Sequence, residues 1–258
     1  MTKYTCNSKD DTVASFRSIF ISDVHLGTRF SQAEELLEFF KCTQCENLYL
    51  VGDIIDGWAI KRKIKWAQSH SDVIQKVLRK ARKGTHVYYI TGNHDEFLRS
   101  FLPLGLGDRI EVVDEAVYVS LKNERFYITH GDFFDSVTMT KRWLAVLGDM
   151  GYDLLLNINQ ILNWCRKKMR YHSHWSLSKY VKDHVKSSVS FITDFESILS
   201  EHAKRHDYDG VICGHIHKAH MCEIDGIKYF NCGDWVESCT AIVETYEGEF
   251  KIIRWLGY

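Results

Sequence analysis

The stretch THVYYITGNHDEF, residues 85–97, decides how the rest of the chain is read. THVYYI is an apolar run of strand length, rich in β-branched and aromatic residues. Gly92-Asn93 then supplies turn chemistry at the strand's C-terminal end. His94 and Asp95 follow at once, and a turn needs neither of them. The same grammar recurs along the chain. FRSIFIS (16–22) runs into DVHLG with Asp23 and His25, and ENLYLVG (46–52) runs into DIIDGW with Asp53 and Asp56. A strand over 125–129 ends in HGD with His130, and DGVIC (209–213) ends in GHIH with His215 and His217.

Between the first three strands the pattern is helical. Ser31 and Glu34 have capping-box spacing for a helix through about Lys41, and a second helix covers roughly 66–83. Strand–helix alternation of this kind predicts a mostly parallel, helix-covered sheet. Residues 1–15 read as a polar arm. Short runs at 110–120 and 125–129 have hairpin spacing, residues 137–205 read as a helical insertion, and strands return to the end of the chain.

With 258 residues, 45% hydrophobic and 26% charged, the chain has the composition of one large globular domain with an insertion. A formal net charge of −1 argues against a general nucleic-acid binder. The N-terminal segment MTKYTCNSKDDTVAS lacks an apolar core, and no run is long enough to span a bilayer, so the expected location is cytoplasmic. The eight cysteines are then expected as thiols. Cys42 and Cys45 form a CxxC, but no second pair completes a zinc site.

In open α/β sheets, ligands gather outside the C-terminal ends of the strands. An Asp after a strand is most often a turn residue, and a lone His is most often structural. Five strand ends delivering such residues to one edge change that reading. In DVH and HIH the side chains stand at i and i+2, on one face of an extended segment. Glycines before Asp53, Asn93 and His215 allow close backbone approach. The donors are nitrogen and oxygen, suited to Mn²⁺, Fe²⁺ or Zn²⁺. Seven candidates exceed what one open-sided ion needs and match two ions sharing a carboxylate, spaced about 3.5–4 Å apart as in two-metal hydrolases.

The series DVH, GDIID, GNHD, H and GHIH, spread over residues 23–217, resembles the calcineurin-like metallophosphoesterases. That resemblance implies an α/β fold, a four-layer α-β-β-α sandwich, here with a helical cap insertion. It implies that Asp23, His25 and His217 hold one divalent ion and Asn93, His130 and His215 the other, with Asp53 bridging and Mn²⁺ favoured. His94 would contact the phosphoryl oxygen or protonate the leaving group, and Asp95 would orient His94.

LYLVGDIIDGW, HGDFFD, the long helical segment and NCGDWVES look like the UDP-2,3-diacylglucosamine diphosphatase group, which hydrolyses the pyrophosphate of a UDP-sugar lipid. In that group the insertion caps the acyl chains. Here Arg166, Lys167, Arg170, Lys182 and Lys186, interleaved with Trp and Tyr, would meet the diphosphate or the inner membrane surface. The bland alternative is an insertion that extends the core, with its cations on a solvated face. His172, His174 and His220 are read as structural or surface.

One departure bears on substrate. The best-known members of the group carry arginine where this chain has His94, so a paralogous branch acting on another small phosphorylated or nucleotide substrate is the alternative. A nuclease would want a basic tracking surface, and a scaffold would tolerate missing ligands. Here every position is filled.

Overall fold

The computed structural model describes residues 2–4, 13–62, 66–135 and 192–255. The chain divides into two compact units, Met1–Asp132 with Leu199–Tyr258, and Phe133–Ile198. The expected helical insertion falls largely outside the described residues, as do Arg166, Lys167, Arg170, Lys182, Lys186, His172 and His174. Everything below concerns the first unit.

Among the described residues its strands are β1 (Thr2–Tyr4), β2 (Ala14–Ile21), β3 (Thr43–Val51), β4 (His86–Ile90), β5 (Leu104–Gly105), β6 (Ile110–Val113), β7 (Glu115–Val119), β8 (Arg125–Thr129), β9 (Gly210–Cys213), β10 (His220–Ile224), β11 (Ile227–Asn231), β12 (Thr240–Glu244) and β13 (Phe250–Trp255). The helices are α1 (Ala33–Cys42), α2 (Gly57–Arg62) and α3 (Gln68–Arg82), with a further helix over residues 192–205. One sheet runs β1-β13-β12-β2-β3-β4-β6-β5 and the other β10-β11-β9-β8-β7. In the first sheet β2, β3, β4 and β6 are parallel. In the second, β8, β9 and β11 are. These are the two mixed sheets of the expected sandwich.

Alternation along β2 explains the layering. Phe20 points between the sheets, where it meets Tyr49, Val51, Ile90, Tyr118, Phe126 and Ile212. Ile19 and Ile21 point the other way, under Leu36, Phe39 and Phe40 of α1 and Val73 and Val77 of α3. Every one of these side chains is buried, at about 1.5–3 kcal/mol each for the large apolar ones. On the outer side of the second sheet, the His202 ring lies 5.0 Å from that of Tyr127, and Leu199 and Ala203 are fully buried.

Several local expectations change. The 110–120 run is not one hairpin arm: β6 joins the first sheet beside β4, and β7 joins the second beside β8. Asp114 is the crossover between them. Its carboxylate accepts hydrogen bonds from the Thr91 hydroxyl and from Arg99 Nε (3.1 Å), and Arg99 Nη2 donates to Asp132 at 2.8 Å. The supposed capping box is absent. Gln32 is the N-cap of α1 with no side-chain cap bond, and Ser31 Oγ is buried without a partner. The polar arm begins with a strand, β1 pairing parallel to β13. Cys42 is disulfide-bonded, against the expectation of thiols throughout, and Cys45 is not its partner, because that thiol is free. Among the described residues no helix is long and apolar enough to cross a membrane.

Candidate metal centre

The loops leaving β2 and β3 run side by side. Asp23 N–H donates to Gly52 O at 3.1 Å, His25 N–H to Asp53 O at 2.9 Å and Leu26 N–H to Ile54 O at 2.8 Å. The site residues here are not extended, as the i, i+2 reading had assumed. Asp23, His25, Asp53, His215 and His217 have φ of 53°, 50°, 53°, 72° and 52°. Non-glycine residues adopt this left-handed region seldom and at a cost, and such residues cluster at functional sites. The left-handed turns still carry the paired side chains into one place.

Asp23 Oδ1 lies 3.1 Å from His217 Nε2 and 3.9 Å from His25 Nε2. Asp53 Oδ2 lies 3.2 Å from His130 Nε2, 3.9 Å from His25 Nε2 and 4.0 Å from His94 Nε2. The His130 and His215 rings are 5.1 Å apart. At these strand ends three sets of donor atoms each fall within 4.8 Å: Asp23, His25 and His217; Asp23, Asp53 and His130; and His25, Asp53 and His94. They form one connected cluster in which Asp23, like Asp53, belongs to two sets.

Asp23 Oδ1, His25 Nε2, Asn93 Oδ1 and His130 Nε2 are buried and have no hydrogen-bond partner among the described residues. His130 Nε2 is near Asp53 but not aligned with it as a hydrogen bond. Buried polar atoms are normally satisfied, and four orphans in one cluster of nitrogen and oxygen donors fit divalent cations. His130 Nδ1, on the other side of its ring, is 3.1 Å from Val51 O, the kind of contact that fixes a metal-binding tautomer.

The cluster is electrostatically tight. Burial opposes charge on Asp53, yet His130 outweighs it and holds the carboxyl well below its usual range. Burial likewise opposes charge on Asp23, and His217 and His130 hold it down. Burial disfavours an imidazolium at His130, but Asp53 pushes its pKa up to about 10.

Close approach is enforced by glycine. A Cβ on Gly92 would stand 2.3 Å from Asp53 Oδ1, and one on Gly214 would stand 2.6 Å from Asp23 Oδ2. At Gly52, with φ +77°, it would meet the His130 ring at 2.3 Å.

His94 lies at the edge of the cluster, its ring 4.2 Å from that of Trp58 and its side chain partly exposed. Its Nδ1 pairs with Asp56 Oδ2 at 2.9 Å, and the same oxygen is 3.2 Å from His25 Nδ1. This corrects the part given to Asp95. That carboxylate turns inward, accepting bonds from Ile54 N–H (3.0 Å), the Tyr89 hydroxyl (2.7 Å) and Gly92 N–H. Burial raises its pKa, with Tyr89 opposing. The sequence noted Asp56 at a strand end but gave it no role; its place three residues beyond Asp53, at the start of α2, was the available signal.

The NCGD turn after β11, which the sequence used only for the family resemblance, also braces the site. The Asn231 side chain donates to Gly214 O at 2.7 Å, Ser22 Oγ donates to Gly233 O at 2.9 Å, and Trp235 N–H donates to Asp23 O at 3.0 Å. Between the β2–α1 loop and the start of α3 opens a cavity of about 800 Å³ lined by Thr28, Arg29, Arg62, Ser69 and His70 among others. Buried His70 accepts the Gly27 N–H at its Nδ1 (3.0 Å).

A family model described as calcineurin-like phosphoesterase matches residues 16–219. The chain therefore belongs to the calcineurin-like phosphoesterase family. It is a metal-dependent hydrolase of phosphoric esters. It is 24% identical over 251 residues to the UDP-2,3-diacylglucosamine hydrolase of Haemophilus influenzae (strain PittGG), covering 92% of this chain and 98% of that one. Against the enzyme of the same name from Histophilus somni (strain 2336) it is 29% identical over 119 residues, 45% of this chain and 49% of that one. A solved archaeal phosphodiesterase aligns over 92% of this chain and 98% of its own with a TM-score of 0.44 and 16% identity, a likeness that carries no inference about chemistry.

Proposed function

We propose that the chain hydrolyses the pyrophosphate bond of a UDP-sugar lipid of the UDP-2,3-diacylglucosamine type, using two divalent ions with Mn²⁺ favoured. The observation that supports a two-ion site is the set of four orphaned buried atoms on Asp23, His25, Asn93 and His130. In this reading Asp23, His25 and His217 hold one ion, Asn93, His130 and His215 hold the other, and Asp53 lies between. When bound, such ions supply Lewis acidity toward the phosphoryl group and the attacking water.

The remaining steps belong to side chains. His94 holds a proton at Nε2 for the leaving group. Asp56, 2.9 Å from its Nδ1, orients the ring and supports the imidazolium. Asp95 locks the Gly92 turn and the Ile54 backbone, and so sets the floor beneath His94. The substrate class is supported by the relatives' name, carried by the first of them over 98% of its length. Arg166, Lys167, Arg170, Lys182 and Lys186, on an insertion read as a cap over the acyl chains, are assigned to the diphosphate or to peripheral contact with a membrane surface.

The second reading, a branch acting on a different nucleotide or small phosphorylated substrate, is favoured by His94, since the best-known members of the UDP-2,3-diacylglucosamine diphosphatase group have arginine there. Parallel kinetics with added Mn²⁺ on UDP-2,3-diacylglucosamine and bis-p-nitrophenyl phosphate decide between them. A kcat/KM for the lipid at least about 100-fold above the diester supports the first. Comparable values with an active diester reaction support the second.

A further inference from the structure

The N-terminal ends of the parallel strands, at the edge opposite the metal centre, enclose a cavity of about 410 Å³. Its floor is the start of β3 and the turn before β4, and its walls are the last turns of α1 and α3. Lys41, Lys76, Arg79, Lys80 and Lys83 line it, with Glu46 the one carboxylate among the lining residues. Lys41 pairs with Glu38. Lys76, Arg79, Lys80 and Lys83 have no ion-pair partner among the described residues.

Lys80 is the most telling of these. It is 8% exposed, and its ammonium donates to Thr43 O at 2.6 Å and lies 5.4 Å from the Phe40 ring. A buried ammonium without a counter-charge is expensive.

Basic residues at helix C-termini have a plain use, because each terminus carries about half a negative charge. Two such ends, with Glu46, balance fewer cations than surround this cavity. The imbalance is visible in the groups themselves. Burial lowers the pKa of Lys80 to about 8, with Lys76 and Lys83 adding to the effect and Cys45 opposing. Burial lowers that of Lys76 too, with Lys83, Arg79 and Lys41 adding and Glu38 opposing.

We propose that this cavity is a binding site for a phosphate-bearing anion, either a free polyanion or an anionic lipid headgroup, separate from the metal centre. The anion's oxygens would supply the counter-charge that these cations lack among the described residues and reach the Lys76, Arg79 and Lys83 heads, while Lys80 sets the positive floor beneath them. Its volume is that of a small-ligand pocket.

The test uses the full-length, metal-loaded protein and its Lys76→Gln/Arg79→Gln/Lys83→Gln variant, whose substituted side chains lie far from the metal cluster. Methylenediphosphonate, a non-hydrolysable probe, should raise the Tm of the parent by about 5 °C more than that of the variant. Any metal stripping by the probe is common to both proteins and cancels. Vesicles of phosphatidylglycerol and phosphatidylcholine, beside phosphatidylcholine alone, form the second arm.

A variant-sensitive Tm shift identifies a free polyanion as ligand. Variant-sensitive sedimentation with the anionic vesicles alone identifies a headgroup. Hydrolysis of bis-p-nitrophenyl phosphate within about twofold in both proteins is expected whichever arm responds. Responses identical in parent and variant in both arms would overturn the proposal. Neither binding readout depends on turnover, so the outcome stands apart from that of the proposed reaction.

Discussion

The two ends of the parallel strands are opposites in charge and alike in imbalance. At the C-terminal edge, overlapping sets of carboxylates and imidazoles each fall within 4.8 Å, and four buried polar atoms have no hydrogen-bond partner among the described residues. At the N-terminal edge, Lys76, Arg79 and Lys83, without ion-pair partners among the described residues, crowd a cavity over a buried lysine. In the readings proposed above, cations complete one edge and an anion the other. The difference lies in construction. The acidic edge is made from short loop residues in left-handed conformations, locked by backbone hydrogen bonds and by glycines that admit no side chain. The basic edge is made from long side chains at helix ends, which can move apart. The first is rigid before its ligand arrives, and the second is adjustable.

Four measurements break or sharpen that contrast. The largest effect is expected from Asp53→Ala. Removing the carboxylate shared by two donor sets should empty or scramble both ions and lower diester turnover by more than about 10³-fold. Elemental analysis with unchanged metal content would refute the central place of Asp53 and shift it to Asp23, which also belongs to two sets.

Next comes His94→Ala, which should retain both ions yet cut turnover by about 10²–10⁴-fold, less for substrates with good leaving groups. The companion Asp56→Asn should lose about 10–100-fold. If Asp95→Asn instead reproduced the kinetic defect of His94→Ala without loss of stability, Asp56 would not be the orienting acid.

At the other edge, Lys80→Met should stabilise the fold at pH 7 by as much as about 3 kcal/mol, less whatever its bond to Thr43 contributes. The sign follows from the depressed pKa. Between about 8 and the usual 10.5 the unfolded chain holds more protons than the folded one, so wild-type stability climbs with pH through that window. The variant's advantage should therefore be full below pH 8 and vanish near 10.5. An advantage independent of pH in urea titrations would mean that packing, not charge, is responsible. The smallest effect is that of Tyr89→Phe, which removes a buried donor to Asp95 and should cost about 1–2 kcal/mol while leaving metal content unchanged. Loss of metal would show that the Asp95 turn is less rigid than its bonds suggest.

Much of this was legible in the chain. Strands such as FRSIFIS and IKYFNCG and the helix over 66–83 lie within a few residues of where alternation and helical periodicity put them, because burial on one face enforces those periods. The seven candidate donors come from the strand ends that the sequence marked. What failed to show was decided by contacts between distant residues. Asp114 sends one apolar run into two sheets, and no local pattern marks such a crossover. The choice of Asp56 over Asp95 as partner of His94 depends on how the β3 and β4 loops meet. The left-handed turns at DVH and HIH escaped notice because hydrogen bonds to a neighbouring loop, not local propensity, hold them.

Arg99 gives the crossover a further meaning. Its guanidinium grips Asp114 where the chain changes sheets, reaches Thr91 Oγ1 at 3.3 Å at the end of β4, and holds Asp132 two residues beyond His130. Four of the seven candidate donors follow strands of one sheet and three follow strands of the other, so this side chain is a rivet through both plates. Separating the sheets would have to break these bonds as well as the apolar core between them, so Arg99 adds a polar tie to a coupling that burial already enforces. In amide hydrogen exchange, Arg99→Ala should leave β4 and β8 opening together and lower their common opening free energy by about 1 kcal/mol.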